Sequence, residues 1–149
     1  EKGIFAGKIP FSRTPVAGRG AAHKSGIKIM VLTGRECAAT TRRMTELKVD
    51  YLFQNVKDKL SFLKKFMQEN EILKEEVGYI GDDLNDIPPM KISGFVGCPS
   101  DSCIEVREIA DYVSNVKGGY GAVRDIIEYL LREYGEWDRA VSEVYGIGI

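Results

Sequence analysis

The chain has 149 residues, 44% of them hydrophobic and 29% charged, and its 21 Lys and Arg against 22 Asp and Glu leave a net charge of −1. This length suits one globular domain with a sizeable core, and the near-neutral charge excludes a general attraction to nucleic acid or to anionic lipid. No apolar run approaches the roughly 18 residues that span a bilayer, and no signal-peptide pattern opens the chain.

The N-terminal part of the sequence has no clear period, because glycine and proline recur throughout it. Residues 1–22 are therefore predicted as loop, with one short extended piece near residues 8–11, and a short helix is predicted over residues 21–25. The pattern becomes regular at residues 27–32. This nearly continuous apolar run between two glycines is typical of a central parallel strand that is buried on both faces.

Strands and helices alternate from that point to the end of the chain. Further strands are predicted at residues 49–53, 77–80, 95–98 and 112–114. Helices are predicted at residues 36–47, 57–70, 85–92, 102–110 and 122–134. The alternation predicts an α/β fold, a doubly wound, Rossmann-like parallel sheet with right-handed crossovers in a single domain. Residues 135–149 follow the last helix as a largely apolar C-terminal tail.

A carboxylate-rich turn follows the strand predicted at residues 77–80. Asp82, Asp83 and Asp86 lie within five positions directly after Gly81, and they repel one another unless a cation or a basic neighbour compensates their charge. Oxygen ligands of this kind suit Mg²⁺. The alternative is an ordinary polar turn in which an aspartate caps the next helix.

Two further polar groups leave predicted strands or begin predicted helices at the same edge of the sheet, where doubly wound folds bind ligands. The Thr33 hydroxyl and the Gly34 N–H are candidate donors to a phosphate, although a plain strand-end turn is the alternative. Lys59 stands near a helix start, where the helix dipole favours anions, and its alternative is a solvated lysine. Hydroxyl, ammonium and metal-binding carboxylate together can stabilise a transferring phosphoryl group.

In this order the residues resemble the haloacid dehalogenase superfamily of phosphatases, with Thr33 as the second motif, Lys59 as the third and Gly81-Asp82-Asp83-x-x-Asp86 as the fourth. More narrowly, the chain is similar to the small, capless branch that contains 3-deoxy-D-manno-octulosonate 8-phosphate phosphatase and the phosphatases of nine-carbon keto-sugar acids such as N-acylneuraminate 9-phosphate. The resemblance covers about residues 17–131. It is carried by segments 32–35, 48–54, 58–60, 79–86, 110–113 and 118–124.

The resemblance implies a Mg²⁺-dependent phosphomonoester hydrolase that works on a phosphorylated keto-sugar acid through an aspartyl-phosphate intermediate. The implied catalytic residues are Thr33, Lys59 and Asp82. The implied substrate-binding residues are Thr33, Gly34, Arg35, Arg43 and Lys59. The implied metal residues are Asp82 as the direct ligand, with Asp83 and Asp86 as its partners through water or hydrogen bonds. The guanidinium groups of the two arginines suit the carboxylate of a sugar acid.

The same resemblance implies a role in lipopolysaccharide or sialic acid biosynthesis and a homotetramer in which a neighbouring subunit covers the open crevice. We therefore expect the tail or the loop at residues 118–121 to lie at a subunit contact, and the alternative is that the tail lies on its own domain. The three cysteines are odd in number and lack zinc-ligand spacing. Reduced thiols in a cytoplasmic protein are the corresponding expectation.

One departure from the family pattern concerns the nucleophile. The family uses the first Asp of an Asp-x-Asp motif on an N-terminal strand, but this sequence has no Asp before Asp50, and residues 1–16 do not match the segment that normally follows the motif. We expect that the nucleophile strand is missing from the sequence as given, because the other motifs are intact. The alternative is a non-catalytic module of the same fold that serves interaction or oligomerisation, such as the C-terminal part of a sugar-nucleotide synthetase.

Overall fold

The computed structural model describes residues 4–7, 27–46, 49–133, 135, 137–139 and 142. The strands of this part of the chain are β1 Ile4–Gly7, β2 Lys28–Leu32, β3 Tyr51–Phe53, β4 Val77–Ile80, β5 Phe95–Cys98 and β6 Tyr112–Val113. They form one six-stranded sheet in the order β3-β2-β1-β4-β5-β6, and every neighbouring pair is parallel.

Helices connect the strands. They are α1 Ala38–Glu46, α2 Lys59–Glu69, α3 Ile87–Met90, α4 Ile104–Ile109 and α5 Ala122–Glu133, with short 3-10 turns at Lys74–Glu76 and Leu84–Asp86. The predicted α/β fold with a parallel sheet is confirmed, and most predicted boundaries are within two residues of those observed. Within the described ranges, no helix has both the length and the apolar character needed to cross a membrane.

The sheet is covered on both faces, as the continuous apolar run of β2 predicted. Met30 and Leu32 of β2 share one buried cluster with Leu63 of α2, and α3 and α4 contribute to the same cluster. Ile29, the neighbour of Met30, belongs instead to a cluster with Ile126 and other residues of α5 on the opposite face. Successive side chains of a strand point to opposite faces, so the two clusters are the two sides of one doubly wound sheet.

Strand β1 is the element that the sequence pattern did not predict. The chain was expected to be loop through residues 1–22, but β1 lies between β2 and β4, with Gly7 opposite Ile80. A four-residue strand flanked by glycine has too little pattern to identify locally, and it gains its hydrogen bonds from parallel neighbours on both sides. The extended piece predicted near residues 8–11 and the helix predicted at 21–25 lie outside the described residues.

The strand order places a crevice at the centre of the sheet. From β1 the chain proceeds to β2 and β3 on one side, and from β4 it proceeds to β5 and β6 on the other. Open α/β sheets bind ligands at such a switch point, beyond the carboxyl ends of the strands. Thr33 directly follows β2 and Asp82 closely follows β4, so the fold brings two of the predicted site residues to this edge.

The beginning of the C-terminal tail lies on its own domain. Trp137 is only 5% exposed and belongs to the cluster that α5 forms against the sheet. The guanidinium carbons of Arg124 and Arg132 lie 5.9 and 5.4 Å from the centre of its ring, close enough for cation–π attraction. The alternative expectation for the tail therefore holds as far as Trp137, and residues 143–149 lie outside the described part of the chain.

Candidate functional site

A cleft of about 470 Å³ opens at the switch point of the sheet. Its walls come from the loops after β2, β3 and β4. It is lined by Thr33, Gly34, Arg35, Val56, Lys57, Lys59, Asp82, Asp83, Asn85 and Asp86. The volume is within the range of small-molecule sites. The fold thus gathers hydroxyl, cationic and carboxylate groups from three separate parts of the sequence in one place.

Thr33 is held in the cleft by its backbone. Its N–H donates to the Phe53 carbonyl over 3.1 Å, and its own carbonyl accepts the Val56 N–H over 2.9 Å. The Thr33 hydroxyl oxygen accepts the N–H of Arg35 over 3.3 Å. Because this bond uses the hydroxyl as an acceptor, its proton remains available for an anionic ligand.

The loops after β2 and β3 are hydrogen-bonded into one unit. The Asn55 N–H donates to the Arg35 carbonyl over 3.2 Å, and the Lys57 ammonium donates to the Gly34 carbonyl. Asn55 has a φ of 60°, the left-handed conformation that asparagine tolerates better than most residues. The unit brings Lys57 into the lining of the cleft that Lys59 also lines, and the sequence had not indicated this placement.

Lys59 is the first residue of α2, and its position follows from the cap of that helix. Asp58 is the N-cap: its carboxylate accepts the Ser61 N–H over 3.0 Å and the Ser61 hydroxyl over 2.8 Å. Hydrogen bonds from the Ser61 backbone and side chain hold the pKa of Asp58 below its ordinary value. The Lys59 side chain is only 6% exposed, and its Nζ lies 2.9 Å from Oδ1 of Asp86. Lys59 is therefore a fixed, buried cation at the back of the cleft.

Asp86 is the centre of the hydrogen bonds that join the site together. Its Oδ1 accepts from Lys59 Nζ at 2.9 Å and from the Tyr79 hydroxyl at 2.8 Å. Its Oδ2 accepts the backbone N–H groups of Asp82 and Asp83 at 3.1 and 3.2 Å. Asp86 is 1% exposed, and protein donors occupy both oxygens. Among the three motif carboxylates it is thus the one that anchors the others, through hydrogen bonds.

Gly81 explains how the Asp86 carboxylate reaches its place. A Cβ atom at position 81 would lie 2.5 Å from Cγ, 2.7 Å from Cβ and 2.7 Å from Oδ2 of Asp86. Such distances are well below van der Waals contact. The glycine after β4 is therefore needed for the carboxylate to lie against the backbone and to accept the N–H groups that follow.

The exposed carboxylates of the cleft fit a divalent cation that is coordinated partly by the protein and partly by water and a bound phosphate. Asp82 and Asp83 are exposed, and Asp83 also accepts the Leu84 N–H over 2.7 Å. In the ranges that the structure describes, no group of three or more His, Cys, Asp and Glu is arranged to hold a metal. Mg²⁺ usually binds through one or two carboxylates and completes its octahedron with water and substrate phosphate oxygens. The pair of aspartates matches that requirement.

The two predicted arginines have different outcomes. Arg35 is exposed and lines the cleft. Arg43 belongs to α1, and its side chain lies outside the described part of the structure. Sequence reasoning also missed Asn85, which lines the cleft, and Tyr79, whose hydroxyl contacts Asp86. The only sequence signal for Tyr79 was a phenol within an otherwise apolar strand that directly precedes the carboxylates.

The nucleophile that the family resemblance implies has no counterpart on β1. This strand has the sequence Ile-Phe-Ala-Gly and ends level with Ile80 of β4, but it carries no carboxyl group, and no Asp precedes Asp50 in the sequence. The site as described therefore gathers a hydroxyl, two lysine ammonium groups and carboxylates in one cleft. It does not provide the Asp-x-Asp pair that the family resemblance implies.

No protein-family model matches the chain. Among curated proteins it is 33% identical over 119 residues to 3-deoxy-D-manno-octulosonate 8-phosphate phosphatase from Escherichia coli K12. The match covers 80% of this chain but 63% of the relative, so the chain spans less than two thirds of the curated relatives it matches first.

Solved structures agree with this relationship. The structure of 3-deoxy-D-manno-octulosonate 8-phosphate phosphatase from Moraxella catarrhalis, in complex with a magnesium ion, a phosphate ion and a KDO molecule, superposes with a TM-score of 0.84 at 26% identity, covering 95% of this chain and 92% of that one. A haloacid dehalogenase superfamily hydrolase from Legionella pneumophila has a TM-score of 0.85 at 22% identity and covers 97% and 90% of the two chains. The second likeness concerns the fold alone.

Proposed function

We infer that the chain belongs to the haloacid dehalogenase superfamily, and from this premise we propose that it is a phosphatase that acts on a phosphorylated keto-sugar acid. One observation carries the proposal: Thr33, Lys59 and Asp82, distant in sequence, line a single cleft at the switch point of the sheet. The names of the relatives favour 3-deoxy-D-manno-octulosonate 8-phosphate as the substrate. A nine-carbon, sialic-acid-like 9-phosphate is the second choice.

The residues of the cleft have distinct roles in this proposal. The Thr33 hydroxyl donates to a phosphoryl oxygen, and the Lys59 ammonium neutralises the negative charge of the phosphoryl group. Preorganised donors and cations of this kind stabilise the charge that develops during phosphoryl transfer. The pairing of Lys59 with Asp86 keeps the ammonium in position before the ligand arrives, so no reorganisation is needed at that moment.

Asp82, with Asp83 beside it, would hold Mg²⁺ at the mouth of the cleft. Such an ion would supply Lewis-acid polarisation of the phosphoryl oxygens. The magnesium and phosphate ions in the Moraxella structure support a divalent cation for this class of protein. The described residues contain no carboxylate at the position that the family's nucleophile would occupy on β1.

Recognition of the sugar acid is assigned to the cations at the rim of the cleft. Arg35 is exposed there, and its guanidinium matches a carboxylate through paired hydrogen bonds. Arg43 is proposed as a second contact from α1. Lys57, which also lines the cleft, adds positive charge.

The function is tested by following inorganic phosphate released from 3-deoxy-D-manno-octulosonate 8-phosphate and from N-acetylneuraminate 9-phosphate, with Mg²⁺ and with EDTA. We expect Mg²⁺-dependent release that falls by roughly 10²–10³ in Lys59→Met. The matched control is Lys64→Met, which removes an exposed lysine of the same helix and should change little. Equal effects of the two substitutions would contradict the role of Lys59.

A second candidate function rests on the absence of a carboxylate from β1. It is a module that binds the phosphorylated sugar acid without hydrolysing it. The two functions differ in one measurement: calorimetric binding of 3-deoxy-D-manno-octulosonate 8-phosphate that is lost in Lys59→Met, without any release of phosphate, would select the module. Release of phosphate that EDTA abolishes would select the enzyme.

We also propose a homotetramer and a cytoplasmic location. The location is supported by the three cysteines, which are unpaired, as is usual in a reducing compartment. The tetramer is supported by the open cleft, because discrimination between sugar phosphates needs a surface that covers it. Sedimentation of the intact protein and of a shorter chain ending at residue 142, which retains Trp137, tests the assembly. A monomeric intact protein would refute the tetramer, and an unchanged tetramer after truncation would exclude residues 143–149 from the contact.

A further inference from the structure

We propose that Tyr79 is a positioning residue that keeps the Lys59 ammonium available to a phosphate in the cleft, acting through Asp86. The inference rests on the proposed function and adds a residue that neither the motifs nor the lining of the cleft identifies. Tyr79 lies on β4, beneath the cleft, and does not line it. Its influence on the ligand therefore passes through other side chains.

The buried Tyr79 hydroxyl donates its hydrogen bond to the carboxylate that also pairs with Lys59. The side chain is 0% exposed, and its ring lies in the core cluster with Leu63 of α2 and Met90 of α3. Its hydroxyl donates to Oδ1 of Asp86 over 2.8 Å, the same oxygen that accepts from Lys59 Nζ over 2.9 Å. A buried hydroxyl without a partner is costly, and here the partner is the counter-ion of the proposed phosphate-binding lysine.

Sharing one carboxylate oxygen between two donors affects how strongly Asp86 holds Lys59. The phenol partly satisfies the negative charge on Oδ1, so less of that charge is directed at the ammonium. Without the phenol, Lys59 is the one side-chain donor to Oδ1 that remains among the described residues, and the ion pair tightens in a site of low dielectric. The ammonium is then drawn towards Asp86 and away from the cleft, and phosphate loses part of the cation that it binds.

The phenol can serve in this way over the whole working pH range. Burial, and next the negative charge of Asp86, raise the pKa of Tyr79 far above its ordinary value. The hydroxyl therefore stays a donor to Asp86.

The chain contains a matched control. Tyr112 also donates its hydroxyl to a carboxylate over 2.8 Å, but the acceptor is Asp125, where β6 meets α5 and outside the cleft lining. Tyr112→Phe and Tyr79→Phe therefore remove the same group and the same kind of hydrogen bond. A loss of stability is expected from both substitutions, whereas a loss of phosphate affinity is expected from Tyr79→Phe alone.

The experiment titrates inorganic phosphate, in the presence of Mg²⁺, into the full chain and its folded variants by calorimetry. We expect Tyr79→Phe to raise the dissociation constant roughly three- to tenfold, because Asp86 then holds the Lys59 ammonium more tightly, and Tyr112→Phe to leave it unchanged. In the Lys59→Met background the effect of Tyr79→Phe should disappear, since the residue through which it acts is gone.

Three outcomes separate this inference from the proposed function. If Lys59→Met leaves phosphate binding unchanged, the proposed function fails. If Lys59→Met weakens binding but Tyr79→Phe does not, or if the two effects are additive, the role of Tyr79 fails alone.

Should Tyr79→Phe not fold, the hydroxyl proton of Tyr79 in the unmodified protein supplies the test. Its protected proton NMR resonance should shift on addition of phosphate while that of Tyr112 does not, and an unmoved resonance would overturn the inference.

Discussion

Substitution of Gly81 by alanine is the sharpest test of how the site is built. The added methyl carbon would lie 2.5 Å from Cγ and 2.7 Å from Cβ of Asp86. These two atoms are not the free end of a flexible chain, because the carboxylate is fixed by Lys59, Tyr79 and two backbone N–H groups. The methyl group can be accommodated only if Asp86 moves and breaks some of these bonds.

The expected cost follows from two contributions. Overpacking of a well-filled site costs about 1–3 kcal/mol, and the loss of one hydrogen bond to a charged group about 1.5–3 kcal/mol. The two costs do not add in full, because movement of Asp86 relieves the overpacking while it breaks the hydrogen bond. We therefore expect the free energy of unfolding to fall by about 2–4 kcal/mol. With a urea m-value of about 2 kcal/mol/M, the unfolding midpoint moves down by roughly 1–2 M.

Urea unfolding and phosphate titration measure the two consequences of Gly81→Ala. Phosphate binding should weaken because Lys59 loses the partner that orients it. Gly118→Ala is the control, since a methyl group there meets Asp101 Oδ1 at 3.5 Å and Pro99 Cγ at 3.7 Å, which is ordinary contact. A Gly81→Ala protein with the midpoint and the phosphate affinity of the parent would refute the reasoning.

Three further predictions concern stability. Glu71 has a φ of 54°, so Glu71→Gly should stabilise the protein by about 0.5–1 kcal/mol and raise its Tm in a calorimetric scan, whereas an unchanged Tm would contradict the strain. Trp137→Ala should lower the free energy of unfolding by about 3–5 kcal/mol in urea, because the indole is buried, and a loss below about 1 kcal/mol would show that the tail does not pack as described. Burial, and next the hydrogen bond to Asp125, raise the pKa of Tyr112 to about 12. Folding thus favours the neutral phenol, and its contribution to the free energy of unfolding is fully present below pH 10 and is lost as the pH rises through 12. The difference in free energy of unfolding between the parent and Tyr112→Phe should therefore shrink between pH 10 and pH 12.

Much of the fold could be predicted from the sequence because its signals are local. The apolar runs of β4 and β5 are bounded by turn residues, and their predicted limits match the structure. The helices follow from periodic apolar residues. The predicted ends of β3 and β6 were one or two residues too long, as expected for edge strands that pair on one side only.

The approach of Thr33, Lys59 and Asp82 to one another was also predictable, for a topological reason. In a doubly wound parallel sheet the carboxyl ends of the strands share one edge. Residues that leave these strands, or that begin the helices after them, therefore meet there whatever their separation in sequence. Order along the chain was enough to identify the resemblance to a phosphatase superfamily, which the relatives and the fold confirm.

Contacts that depend on non-local pairing were decided by the tertiary structure alone. β1 is a strand because its two parallel neighbours, β2 and β4, form hydrogen bonds with a segment whose own strand pattern is weak. These neighbours are distant in sequence, so no local pattern predicts the pairing. The sequence did not indicate that Asp86, rather than Asp82 or Asp83, accepts the hydrogen bonds that hold the site together. Asp86 becomes the anchor of the site because Gly81 lets its carboxylate approach the backbone, where Lys59 and Tyr79 from separate elements converge on one oxygen. Such a convergence is a property of three-dimensional distance, which a linear motif does not contain.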